Sequence, residues 1–104
     1  MEMLSEEQIR KIQKGLVDED SSLQLVFSVL GDTTRFRIVQ LLSVHHELCV
    51  TDLAKILQMS MPAVSQHLRI LELSDVVDKE RMGQMICYML KKSNSAVGAV
   101  LTLL

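Results

Sequence analysis

Residues 45–52 read HHELCVTD and place His45, His46, Cys49 and Asp52 within eight positions. All four residue types ligate divalent metals. The same stretch also has a plainer reading. Cys49 stands where a helix should begin, with Asp52 three residues later, the spacing of a capping box. Serine or threonine caps better than cysteine, so the thiol is out of the ordinary there. A thiol at a helix N-terminus can have a lowered pKa and be reactive. Two kinds of chemistry are therefore open to Cys49: effector binding, with His45 or His46 as further ligands, and thiol oxidation. His45 and His46 are most simply part of a solvated loop. The second cysteine, Cys87, falls on a strand and is not expected to pair with Cys49.

Elsewhere the chain offers no nucleophile–base pair, no glycine-rich phosphate loop and no complete metal constellation, so an enzyme is not expected. The 104 residues fit one domain, spanning 1–104, with 48% hydrophobic and 23% charged residues. Only Phe27, Phe36 and Tyr88 are aromatic, which leaves an aliphatic core with seven methionines as gap fillers. A formal net charge of −2 argues against a generally basic protein and leaves room for a local basic face. Two cysteines and no signal peptide point to a reducing, cytoplasmic compartment. The apolar tail AVGAVLTLL is shorter than the roughly 18 residues a membrane span needs, so no membrane partner is expected.

The elements that must carry these residues follow from periodicity. SEEQ at 5–8 is a capping box, and Ile9, Ile12 and Leu16 follow at helical spacing, giving a helix from about Ser5 to Val17. Ser21 and Gln24 form a second box before Leu23, Val26, Phe27 and Leu30, and Gly31 ends that helix. Asp32 caps a third, deeply buried helix carrying Phe36, Ile38, Val39, Leu41 and Leu42, with Arg35 and Arg37 turned to solvent or an anion. CVTDLAKILQMS yields a short fourth helix and a tight turn. Ser60 then caps a fifth, with Pro62 in its first turn and Val64, Leu68 and Leu71 as its inner stripe. The period then drops to two. VVDKER and MICYML read as strands joined near Met82 and Gly83, with Ile86, Tyr88 and Leu90 on one face. Residues from Ser93 to Leu104 return to helix. The expected fold is mainly α with a small β-hairpin, ordered α-α-α-α-α-β-β-α: a winged helix-turn-helix over about 48–74 with a wing at 76–90.

The second helix of such a pair fits the major groove of double-stranded DNA. Its outward residues should be small or polar, and here they are Ser60, Met61, Pro62, Ala63, Ser65, Gln66 and Arg69, with His67 at the core edge or facing DNA. Gln66 can pair bidentately with adenine and Ala63 can touch a thymine methyl, while Ser65 and Arg69 suit phosphates. Lys79, Arg81 and Gln84 near the hairpin tip suit the backbone or minor groove, with Asp78 and Glu80 weakening the local field. Two alternatives stand beside this reading. The helix face could be merely solvated, or it could contact a protein, toward which Met61 and Pro62 lean.

LGDTTRFRIVQLL, ELCVTDLAKIL, MSMPAVSQHLRILELSDVV and RMGQMICYML together resemble the ArsR/SmtB family of bacterial winged-helix repressors. The resemblance covers about 27–90, and PAVSQHLRIL is its strongest part. It implies a homodimer whose first and last helices (5–17 and 93–104) pair across a two-fold axis. It also implies binding to an imperfect palindromic operator and release by an inducer. The apolar tail and its small residues Ala96, Gly98 and Ala99 accord with helix pairing. In metal-sensing members the stretch at 47–52 reads ELCVCD. Cys49 matches the first thiolate, but Thr51 replaces the second, and residues 1–20 hold no cysteine or histidine. A second family site uses Asp and His on the last helix, and residues 91–104 contain neither. The resemblance thus leaves a metal ion open with both ligand sets incomplete. No cofactor is required, and a thiol-responsive repressor is the alternative to a metal-responsive one.

Overall fold

The computed structural model describes residues 3–16 and 21–104. Helix α1 spans Glu6–Gly15, α2 Ser21–Val29, α3 Thr33–His45, α4 Val50–Leu57, α5 Met61–Leu73 and α6 Ser95–Leu101. Strands are β1 Leu48–Cys49, β2 Val77–Met82 and β3 Met85–Leu90. They form one antiparallel sheet in the order β1-β3-β2. The winged helix-turn-helix read from periodicity is therefore present, with an additional strand, β1. Two residues are too few to show a period of two, and β1 exists only because β3 supplies its ladder.

The capping box at α1 is complete: the Gln8 amide donates to Ser5 Oγ at 3.1 Å, and the Ser5 amide donates to Gln8 Oε1 at 2.8 Å. The expected end of that helix at Val17 lies outside the described residues. Ser21 is already the first helical residue of α2, so a cap for that helix also falls outside them. The α2 stripe is centred on Val26 and Val29, with Leu23 and Leu30 at its edge, and it leaves Phe27 51% exposed. Asp32 caps α3 by accepting from the Arg35 amide at 3.0 Å.

The core gathers Ile38 and Leu42 of α3, Leu53 of α4, and Val64, Leu68 and Leu71 of α5 with Tyr88 and Leu90 of β3. Val97 and Val100 of α6 join it against α2. Helix α6 is shorter than the expected 93–104. It is capped by Asn94, whose Oδ1 accepts from the Ala96 amide at 3.0 Å. Ala96, expected at a dimer contact, is buried within the protomer, while Gly98 and Ala99 stay on the surface. On β3, Tyr88 and Leu90 are buried as expected and Ile86, nearer the tip, is exposed. Gly83 has φ 65° at the first loop position of the hairpin, a conformation glycine adopts without steric cost.

Candidate nucleic-acid interface

The reading head is built by α4, a three-residue turn and α5. Leu53 and Ala54 bury one face of α4. Gln58 then takes a left-handed conformation, its amide reaching the Ala54 and Lys55 carbonyls, and the chain reverses toward Ser60. Ser60 Oγ accepts from the Ala63 amide at 3.3 Å, and Pro62 occupies the first turn of α5, where its missing N–H costs nothing. Val64, Leu68 and Leu71 are essentially fully buried and fix the rotation of α5 about its axis. That rotation places Met61, Pro62, Ser65, Gln66 and Arg69 on the exposed side, with Ala63 and His67 half-buried at its border. The face is one side of a helix with short polar side chains around a glutamine and an arginine, a form suited to a major groove.

The wing stands beside it. The register pairs Lys79 with Tyr88 and Arg81 with Ile86, and it pairs Asp78 with Met89 and Glu80 with Cys87. Directly paired residues share a face of a sheet. Lys79 and Arg81 therefore lie on the side that packs toward α5, and Asp78 and Glu80 lie on the opposite side. The acidic residues that looked like close competitors in the sequence are separated from the basic ones by the pleat. Lys79 Nζ lies 3.4 Å from the Glu72 carboxylate at the end of α5, and Arg81 Nε donates to the Gly83 carbonyl at 3.3 Å. Burial pushes the Tyr88 hydroxyl pKa up, with Glu72 adding to the shift and Lys79 and Arg69 opposing it. Arg69 of α5 and Lys79 of the wing thus both act on the Tyr88 hydroxyl. Gln84 is exposed in the hairpin loop.

His67 has partners the sequence did not reveal. Its Nδ1 lies 3.3 Å from Arg35 Nη1 and 3.8 Å from the Asp32 carboxylate. Arg35 Nε also donates to the Val29 carbonyl at 2.7 Å. Arg35 is therefore not a solvent-facing cation: it joins the end of α2, the start of α3 and the middle of α5. The Arg35 amide bonded to the Asp32 carboxylate holds that carboxyl below its ordinary pKa, with the Arg35 and His67 charges acting in the same direction. His67 thus ties α5 to the corner between α2 and α3.

Cys49 also departs from expectation. It occupies the N-cap of α4 and makes no side-chain capping hydrogen bond. Instead it is disulfide-bonded to Cys87, which faces it directly across the β1–β3 ladder. The pairing dismissed from the sequence is produced by β1, the strand that periodicity could not show. Cys87 is completely buried and Cys49 partly so. Cys49, Val50 and Thr51 line one wall of an open groove of about 220 Å³, whose other walls are Met61 and Ser65 of α5 and Gln84, Met85 and Ile86 of the wing.

Comparison with known proteins accords with this geometry. Residues 32–79 match the model of the bacterial regulatory protein arsR family. The chain is 38% identical to a transcriptional repressor SmtB homolog of Synechocystis over 81% of its own length and 64% of that protein. It is 32% identical to a cadmium resistance transcriptional regulatory protein CadC homolog of Staphylococcus aureus, over 84% of its length and 73% of that protein. Among solved structures, HlyU from Vibrio cholerae superposes with a TM-score of 0.75 at 25% identity, covering 85% of this chain and 92% of that one. With its helix-turn-helix and wing presented on one face, the chain belongs to the arsR family of DNA-binding transcriptional regulators and is not an enzyme.

Proposed function

We propose that the chain is a cytoplasmic, homodimeric repressor that holds an imperfect palindromic operator and releases it when an inducer acts. The observation that carries this reading is the exposed face of α5, with Gln66 and Arg69 at its centre and Lys79 and Arg81 of the wing beside it. Gln66 and Ala63 would read base edges. Ser60, Ser65, Arg69, Lys79, Arg81 and Gln84 would hold phosphates, and Met61 would pack in the groove. A pair of such heads about one helical turn of DNA apart requires a two-fold dimer. Support for the dimer comes from α1, which buries no residue in its own protomer and leaves Ile9 and Ile12 exposed, with Leu4 and Leu16 exposed at its two ends. Phe27 and Leu103 add further exposed apolar surface. A row of this kind on a soluble regulator calls for a partner helix.

The relatives carry metal-resistance names, and a metal ion is the first inducer to consider. The described residues assemble no familiar metal site. No group of three His, Cys, Asp or Glu comes together among the described residues, and the sulfur at the expected position is bonded to Cys87. His45 and His46 therefore do not complete a site with Cys49 here.

The test is fluorescence anisotropy with a duplex taken from upstream of the chain's own gene, titrated by wild type and by the Gln66→Ala/Arg69→Ala double variant. Salt-dependent binding by wild type and its loss in a folded, dimeric variant support the reading. Equal binding by both would move the interface away from α5.

A further inference from the structure

The Cys49–Cys87 disulfide joins the two parts that would grip DNA. Cys49 is the last residue before α4, the first helix of the reading head, and Cys87 lies at the middle of the wing's inner strand, 38 positions away in sequence. The β1–β3 ladder is only two residue pairs long, Leu48 with Tyr88 and Cys49 with Cys87, and Leu48 also packs on the core. The groove beside the bond is walled by Met61 and Ser65 on one side and by Gln84, Met85 and Ile86 on the other, so it lies between recognition helix and wing. Neither sulfur has a capping role that would explain its presence: Cys49 makes no cap hydrogen bond and Cys87 is wholly enclosed. Disulfides in cytosolic proteins are more often transient and redox-sensing than structural.

We propose that Cys49 and Cys87 are a reversible dithiol–disulfide switch, oxidised by a peroxide, and that the disulfide form is the one that binds DNA tightly. The inference rests on the DNA-binding reading above. In the dithiol form Cys49, the partly exposed cysteine on the groove wall, meets the oxidant. Its thiolate attacks one peroxide oxygen, the O–O bond breaks, and with one proton taken up the products are Cys49 sulfenic acid and water. The Cys87 thiol then attacks the Cys49 sulfur, the S–O bond breaks and a second water leaves. In total two thiols lose two electrons to one peroxide and yield one disulfide and two waters. Return requires a dithiol reductant, whose thiolate attacks the more accessible Cys49 sulfur. The bond tethers the start of α4 to the wing and so fixes the spacing between Met61–Ser65 and Gln84–Ile86. Without it the two thiols must separate to ordinary contact distance, and the register of the two parts rests on the short β1 ladder and the shared core, with no covalent link. A cross-link that presets the bound arrangement lowers the ordering cost of binding.

The experiment measures anisotropy on the upstream duplex with the full chain, fully reduced and after a stoichiometric hydrogen peroxide pulse. Thiols are counted in parallel by the mass gained on maleimide labelling. The expected result is loss of both labels on oxidation and an affinity roughly five- to tenfold higher in that form. The variants Cys49→Ser and Cys49→Ser/Cys87→Ala should bind at the weaker level and not respond to peroxide, which also controls for methionine oxidation. Equal affinity of the two forms, or tighter binding by the dithiol, overturns the switch while leaving the DNA-binding reading intact. Labels retained after the pulse overturn the chemistry. Absence of binding in both forms of a folded dimer overturns the DNA-binding reading and the switch with it.

Discussion

Neutralising Arg69 should change the salt dependence of DNA binding more informatively than the affinity itself. Arg69 is exposed on α5 and makes no ion pair among the described residues, whereas Lys79 sits 3.4 Å from Glu72. Under the proposed binding mode Arg69, Lys79 and Arg81 of each protomer each meet a phosphate, so a dimer would neutralise about six phosphates. Each contributes about 0.9 to the slope of log affinity against log salt, so the slope should be near −5, and affinity should fall about 10³-fold between 50 and 200 mM salt. Arg69→Ala removes one phosphate contact per half-site and should flatten the slope by about 2. Glu72→Gln has the opposite sense: Lys79 no longer has to give up a carboxylate to meet a phosphate, so affinity should rise a few-fold. Anisotropy titrations at four salt concentrations measure both. A weaker Arg69→Ala variant with an unchanged slope would refute the reasoning, because Arg69 would then act through the fold and not through phosphate. Glu72→Gln without gain would place Lys79 away from the backbone.

Three further outcomes follow from the packing. Ile12→Asp should yield a monomer by light scattering with helical circular dichroism retained, since α1 buries nothing in its own protomer; a persisting dimer would place the interface elsewhere. Leu68→Ala empties a fully enclosed site between the reading head and the core and should cost about 2–5 kcal/mol, read as the shift in denaturant midpoint; a loss below about 1 kcal/mol would contradict that enclosure. Asp32→Asn keeps a capping side chain but removes the charge. Because the folded Asp32 pKa lies below the ordinary 3.8, its stabilising charge is present above that value and is lost as pH falls through the folded pKa. The melting temperatures of wild type and Asp32→Asn should therefore differ at about pH 5 and converge as the pH falls below 3.8 and through the folded pKa, and a gap that widens on acidification would reverse the assignment.

What could be read from the sequence was local. Ser60, Pro62 and the spacing of Val64, Leu68 and Leu71 are all within one helix, and together they state both where α5 starts and which side it buries. The exposed face bearing Met61, Ser65, Gln66 and Arg69 follows from that stripe by subtraction. Periodicity was less reliable where two faces are nearly equally apolar. Phe27 and Val26 share an i, i+3, i+4 pattern, and only the position of α6 decides that Val26 and Val29 go inward.

The partners that were missed are non-local. His67 meets Arg35 from 32 positions away, Lys79 meets Glu72 from the next element, and Cys49 meets Cys87 only through a two-residue strand. One signal for the last was visible: a cysteine at a helix start, where serine or threonine would cap better, invites a search for another partner. The separation of Lys79 and Arg81 from Asp78 and Glu80 was also implicit in the alternation of a strand.

The most direct measurement is competition binding by the wild-type dimer: a labelled duplex from upstream of its own gene against unlabelled duplex of unrelated sequence, at physiological salt. A regulator that reads base edges through α5 should prefer its own site by roughly 10³-fold or more, and the Gln66→Ala variant should lose much of that preference while keeping its salt slope. Equal competition by the unrelated duplex, from a protein shown to be folded and dimeric, would contradict sequence-specific reading by this face.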